Sequence, residues 1–441
     1  IVQTVEGAGG TLGAAEVVVG PGRGFLRVED GFKALKAGDT LVIHPAKDGR
    51  PYEGVALRVT LPGITIRGAS DLADGSRVVL SGNGFDYSGA GSVPRAIIEF
   101  APEASGGRVE NLRLTGARNR TGNGAGVRVN AANGVTINGC EIDGNDMGIM
   151  SNGRHDQMRD LLIEDCHLHG NGVDDHEGMS HNLYLGGASA RLRGCRIERS
   201  VDGHNLKSRT HTLLVEGCTI RDSANREADL VDAKEVTDRP GGLALFLGCL
   251  IAKDPQCAGN RGVIHFGQDG GTDHRGAIWL IHCTVVTPFQ SPVIELSAPS
   301  ARANLVNTAI IDPGGGGSTR TLIARRGPGP DQADVVAGLW LPYGYDAGPA
   351  AKGVITAVLN QAPPVRDAHG DWRPLEDADN PLLGRGIPLD QTPLPLAALS
   401  ADHPLRQRPL RLVLPGEDGS LREGVPLDPP DLGAFVRTRK D

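Results

Sequence analysis

The chain has 441 residues and a formal net charge of −8, with 63 glycines and only 4% aromatic residues. An acidic chain lacks the basic face that phosphate neutralisation needs, which excludes a general nucleic-acid binder. No apolar run is long enough to span a bilayer, and the 39% hydrophobic share still allows a sizeable core.

The chain starts at Ile1 without a methionine, the start expected after a leader is removed, and this fits an exported protein, periplasmic or secreted. Residues 30–37 (DGFKALKA) read as a short amphipathic helix capped by Asp30, followed by a strand over 38–43 (GDTLVI). Such a helix would plug the open end of a stack of strands.

From there, short Val/Ile/Leu runs alternate with Gly, Asn and Asp turns, the mark of many short strands. Six segments align on a cysteine: Cys140, Cys166, Cys195, Cys218, Cys249 and Cys283. Apolar residues sit five and three before each cysteine and two after it. The residue just before is Gly in four, Asp or His in the others, so the strand turns a corner at positive φ and resumes with the thiol inward. Successive cysteines are 26, 29, 23, 31 and 34 residues apart, a fixed rung with loops of variable length. Asn111 and Asn307 are expected in a comparable slot of looser rungs, and Cys257 falls in a loop. The cysteines are read as small core hydrophobes, because no pair has zinc-site spacing.

Between the cysteine rungs lie strands with polar outer positions: 147–152, 181–185, 204–209, 228–233 and 262–266. Alternation predicts that Asn182, Tyr184, Asn205, Lys207, Arg209, Asp229 and His265 point outward and stack into one patch. His181 and His204 open two of these strands with the same His-Asn-Leu triplet. That inventory suits β-elimination on a uronic acid polymer. Arg209 would neutralise the sugar carboxylate, Lys207 or His265 would take the C5 proton, and Tyr184 would protonate the leaving O4. His204 joins them as a candidate catalytic group, with His181, Asn182, Asn205, Asp229 and Lys234 as substrate contacts. The turn 172–178 offers Asp174, Asp175, His176 and Glu177 either as a substrate loop or as oxygen-rich ligands that would suit calcium; the residues require no metal.

The last third changes character. Residues 1–311 are expected to form the solenoid with its cap, and 312–441 a few final rungs plus an irregular Pro/Gly-rich covering segment.

Several of these segments resemble a known family. The opening GFKALKAGDTLVIHPAKDGRPYEGVAL, with Tyr52 at the position of the usual Gly-x-Tyr, resembles the entry of pectate-lyase-like proteins; NPLLGRG (380–386) and PDLGAF (430–435) are similar to their closing segments. The resemblance implies a single right-handed parallel β-helix. HNLKSRTHTLLVEGCTI (204–220) resembles the catalytic rung of alginate- and chondroitin-cleaving β-helix lyases, which implies that Lys207 is the base. Where those lyases carry an upstream acidic calcium ligand this chain has His204 and Asn205, and where they carry an arginine on the next rung it offers Asp232 and Lys234.

The expected function is therefore a monomeric lyase of an acidic polysaccharide, of the kind found in bacterial exopolysaccharides. The alternatives are an epimerase sharing its first step, a glycoside hydrolase using Asp229 and Asp232, and a non-catalytic polysaccharide-binding envelope protein.

Overall fold

The corners that precede the cysteines turn as their residue types require. Gly139, Gly194, Gly217, Gly248, Asp165 and His282 all have φ between +49° and +64°. Glycine takes this region without a Cβ penalty, while Asp and His are among the side chains that tolerate it. After each corner the thiol re-enters the core, and all seven cysteines are free and buried, Cys257 included. Asn111 and Asn307, each at φ +51°, take the corner position itself. The cysteine slot beside them is filled by Leu112 and Thr308, both fully buried.

The structure, a computed structural model, describes residues 14–70, 76–173, 178–257, 262–287, 292–313, 319–326, 334–366, 372–407, 409–415 and 421–438. It divides into two compact units, residues 1–191 with 199–203, and residues 192–198 with 204–441.

In the first unit the strands stack into three parallel ladders. One runs from Glu16–Val19 through Thr40–Ile43, Thr65–Gly68, Arg108–Glu110 and Thr136–Asn138 to Leu161–Glu164. A second runs from Val78–Ser81 through Leu112–Thr115 and Glu141–Asp143 to His167–His169. The third comprises Leu57–Val59, Ala96–Phe100, Ala125–Asn130 and Met147–Asn152, and pairs Ile149 and Met150 with Leu183 and Tyr184. Inward aliphatics such as Ile98, Val127 and Ile149 line up across these rungs and are fully buried, each contributing about 1.5–3 kcal/mol of burial.

The expected cap is present with different bounds. The helix is Val28–Lys33, so Asp30 lies inside its first turn and Arg27 precedes it without a side-chain cap. Packing sets this position: Gly31 lies so close to the first ladder that a Cβ there would come within 2.5 Å of Val19 Cγ2. The strand that follows is Thr40–Ile43.

The second unit repeats the three ladders. The one that matters for chemistry pairs Leu206–Glu216 at its start with Ala228–Val231, then Ile264–Gly267, Ile294–Leu296 and Ile323–Arg325. Another joins the end of Leu206–Glu216 to Gly242–Leu247, Gly276–Ile281, Arg302–Ile311, Val336–Leu341 and Lys352–Thr356. The Pro-rich segment covers that ladder: Leu389, Leu399, Leu405, Leu412 and Val436 form one buried cluster with Leu243, Leu245, Trp279 and Ile281. A second cluster seats Val365, Leu382 and Leu432 against Leu250, Val286 and Ile311. In neither cluster does the segment touch the ladder bearing Lys207, Asp229 and His265.

Candidate active site

Alternation along the strands of this first ladder of the second unit puts Lys207, Asp229, His265 and Glu295 at one register position on four successive rungs. At the centre stands Asp229, 2% exposed. Its Oδ1 lies 2.8 Å from His265 Nδ1 and 3.1 Å from Arg226 Nη1, and its Oδ2 lies 3.2 Å from both His204 Nε2 and Lys207 Nζ. Burial alone would raise this carboxyl, but hydrogen bonds from His204 and His265 and the charge of Lys207 hold it well below the usual carboxylate range.

The tautomers follow from the partners. The backbone N–H of Arg226 donates to His204 Nδ1 at 3.1 Å, so the His204 proton sits on Nε2 and points at Asp229. Burial pushes the pKa of His204 down, against the pull of Asp229. His265 gives its Nδ1 proton to Asp229, which leaves Nε2 as an acceptor 2.6 Å from Ser297 Oγ. The Gln268 N–H donates to the same Oγ at 2.7 Å.

On the solvent side the pattern opens. Lys207 Nζ and Arg209 Nη2 converge on one Asp269 oxygen, at 2.9 and 2.5 Å, and the Asp269 side chain is 41% exposed. Burial works to raise Asp269, and the hydrogen bond and charge of Lys207 with the charge of Arg209 outweigh it and lower it. Asp269 is brought there by Asp232. The Asp232 carboxylate accepts N–H bonds from Asp269, Gly270 and Thr272 and the Thr272 hydroxyl, at 2.5–2.7 Å. Burial opposes these bonds, which bring its pKa down to about 2. Arg209 Nη1 also donates to the Asp232 carbonyl.

Of the residues expected in the patch, Lys207, Arg209, Asp229, His265 and His204 are brought together. Asn182 and Asn205 are not outward. Both are fully buried, because each stands just before its strand, at the corner, where alternation does not apply. Asn182 Oδ1 accepts from Asn171 Nδ2 at 2.8 Å, and Asn171 Oδ1 from Asn145 Nδ2 at 3.0 Å, forming an amide ladder inside the first unit. Asn205 donates to the Arg221 carbonyl and to buried Glu227. Its partner Glu227 is raised to about 7 by burial, against the charge of Lys253. His181 is also buried, against the edge of the Tyr184 ring. Tyr184 is half-buried on Met147 and Met150 in the first unit. Lys234 is exposed. Asp232 ties down the 269–272 backbone through its carboxylate.

Sequence reading missed Asp269, Arg226, Glu295 and Ser297. Arg226 Nη2 lies 3.2 Å from Glu295, which also pairs with Arg326.

Residues 174–177, the calcium candidates, lie outside the described residues. Among the described residues Glu141, His167 and His169 could hold an ion, their ligand atoms all within 4.8 Å of one another. One carboxylate and two imidazoles do not match the oxygen shell of calcium; they suit a zinc-type ion. Arg77 and Arg113 lie within 3.9 Å of the same carboxylate.

The family described as a right-handed beta helix region matches residues 97–238. The fold is a right-handed parallel β-helix. No curated protein is similar to the chain in sequence. Among solved structures this β-helix is similar to an alginate lyase from Paenibacillus sp. str. FPU-7, at 14% identity over 74% of this chain and 98% of that one, TM-score 0.41. It is similar to pectate lyase Pel9A at 13% identity over 96% of both chains, TM-score 0.44. A pectin methylesterase from carrot aligns at 11% identity over 79% of this chain and 90% of that one, TM-score 0.40. No helix among the described residues is long and apolar enough to cross a membrane.

Proposed function

We propose that this β-helix is an exported, monomeric lyase that cleaves an acidic, uronic-acid-containing polysaccharide by β-elimination on the outer row of its second unit. The observation that carries this reading is the convergence of Lys207 and Arg209 on one half-exposed carboxylate. Asp269 stands where a sugar carboxylate would bind, and a substrate that displaces it inherits two cations. Neutralising that carboxylate acidifies the C5 proton. His265, oriented by buried Asp229, takes the proton at Nε2 once Ser297 turns away. The Lys207 ammonium, no longer tied to Asp269, protonates the departing O4 as the C4–C5 double bond forms. Lys207 as the base is the arrangement implied by the family resemblance, but its two carboxylate partners favour the donor role. The test incubates the full chain with alginate, polygalacturonate and chondroitin and follows the ultraviolet absorbance of the unsaturated product. Product should form, and Lys207→Ala should slow it by about 10²-fold or more. New reducing ends without that absorbance would indicate hydrolysis and overturn the lyase.

The Asp229–His265–Ser297 relay favours a second reading, hydrolysis of an ester on the same polymer. Ser297 Oγ would attack the acyl carbon while its proton passes to His265 Nε2. The ester C–O bond breaks as His265 returns that proton to the departing sugar oxygen, and water, deprotonated by His265, would then hydrolyse the acyl-serine to free the acid and restore Ser297. Ser297→Ala separates the two: it abolishes acetate release from an acetylated polymer if the relay is nucleophilic, and leaves β-elimination intact if His265 is the base.

A further inference from the structure

The first unit carries its own outward row, and it is unbalanced. Arg58, Glu99 and Arg128 occupy one register position on three successive rungs, and Arg95 enters from the segment before the second of them. They line a cavity of about 500 Å³ together with Asn130 and Asn152, walled on one side by residues 88–91. Three guanidinium groups face a single carboxylate. Glu99 Oε1 lies 3.5 Å from Arg58 Nε, and its Oε2 accepts the backbone N–H of Arg95 at 2.8 Å. Arg128 Nε reaches Asn130 Oδ1 at 3.3 Å, and that oxygen also accepts from Asn152.

What remains is a set of buried donors without a hydrogen bond: Arg95 Nε, Arg128 Nη1 and Ser88 Oγ, with Arg58 Nε reached only by its ion pair to Glu99. Arg128 is only 8% exposed, and burial followed by the charge of Arg95 lowers its pKa, with Glu99 opposing. Buried cationic donors are costly to leave unsatisfied, so a structure that gathers three guanidinium groups and a serine hydroxyl around a cavity is organised for an acceptor. Guanidinium forks match planar or tetrahedral oxyanions through paired hydrogen bonds. The cavity is wide enough for one sugar ring, and the two asparagine amides and the serine hydroxyl suit its hydroxyl groups.

We propose that this cavity is an anion subsite that binds the carboxylate or sulfate of one residue of an acidic sugar chain, with Arg58, Arg95 and Arg128 as its donors. The inference rests on an acidic polysaccharide as the substrate, but its geometry lies wholly within the first unit.

Calorimetric titration of the full chain with sodium galacturonate, glucose 6-sulfate, glucose and inorganic sulfate tests it. One of the two anionic sugars should bind and glucose should not; the one that binds identifies the anion. Arg128→Gln, and the half-buried Arg95→Gln should the first fail to fold, should each weaken binding about tenfold. Equal binding of glucose, binding of inorganic sulfate without either sugar, no binding, or unchanged affinity in both variants would overturn the subsite. Product formation is read separately: binding without turnover would remove the lyase and keep the subsite, and turnover without binding would do the reverse.

Discussion

Each unit carries an outward charged row on one of its ladders, and the two rows are wired differently. In the second unit Asp229 satisfies His204, Lys207, Arg226 and His265 at once, and Glu295 and Asp269 take up what those cations have left. In the first unit Glu99 reaches Arg58 Nε only as an ion pair and Arg95 only at its backbone, and buried donors of Arg95, Arg128 and Ser88 go without a hydrogen bond. A closed network fixes protonation states and side-chain orientation before any ligand arrives, which proton transfer requires. An open one keeps its binding capacity for something outside the protein.

The contrast is broken most easily at its centre. Asp229→Asn keeps the shape and removes the charge, leaving several buried cations and imidazoles around a neutral amide. We expect a loss of about 3–5 kcal/mol in denaturant unfolding of the full chain, and turnover reduced by about 10²–10⁴-fold. A variant as stable as the parent would mean the row is not wired through Asp229.

Asp232→Asn tests how the loop bearing Asp269 is held, with an expected cost of about 1.5 kcal/mol at neutral pH. The folded carboxyl sits at about 2 against an ordinary 3.8. A depressed carboxyl stabilises the fold above its unfolded pKa and loses that contribution as pH falls through its folded one. The gap between parent and variant should therefore be full at neutral pH and close between about pH 4 and pH 2. A gap that persists at the acid end would show that the charge is not what holds residues 269–272.

Much of this was legible because the rungs obey local rules. At the positive-φ corners the residue before each ladder cysteine is Gly, Asp or His, and straight strands place Lys207, Arg209, Asp229 and His265 on one side by alternation alone. Alternation fails where strands begin, which is why Asn182 and Asn205 turned out buried. The repeat of Gly-Asn at 144–145 and 170–171, spaced like Cys140 and Cys166, was the available sign of the amide ladder. Asp269 and Ser297 carried no such sign, since a loop folded back by Asp232 brings one to Lys207 and the next rung brings the other to His265. The orphaned arginines were equally hidden, because pairing across rungs and the wall at 88–91 decide which donors are buried.

Cys218→Ala probes the scaffold beneath the second row. The thiol is fully buried, and its Sγ lies 3.4 Å from both the Cys195 N–H and the Glu216 carbonyl. Removing one sulfur from a packed interior should cost about 1 kcal/mol and leave turnover unchanged. A fall in turnover without a fall in stability would make the thiol part of the site.

The smallest effect should come from the first row, and its sign is the informative part. Arg128→Met removes a buried guanidinium that bonds only weakly to Asn130 and leaves Nη1 without a partner. In a closed network such a change would strand its partners, as Asp229→Asn does. Here it relieves repulsion with Arg95 and fills the space with an apolar stem of similar length. We expect unfolding free energy within about 1 kcal/mol of the parent, on the stable side, measured in the same denaturant series. A loss as large as that of Asp229→Asn would show that Arg128 is paired within the fold, and the two rows would then no longer differ in kind.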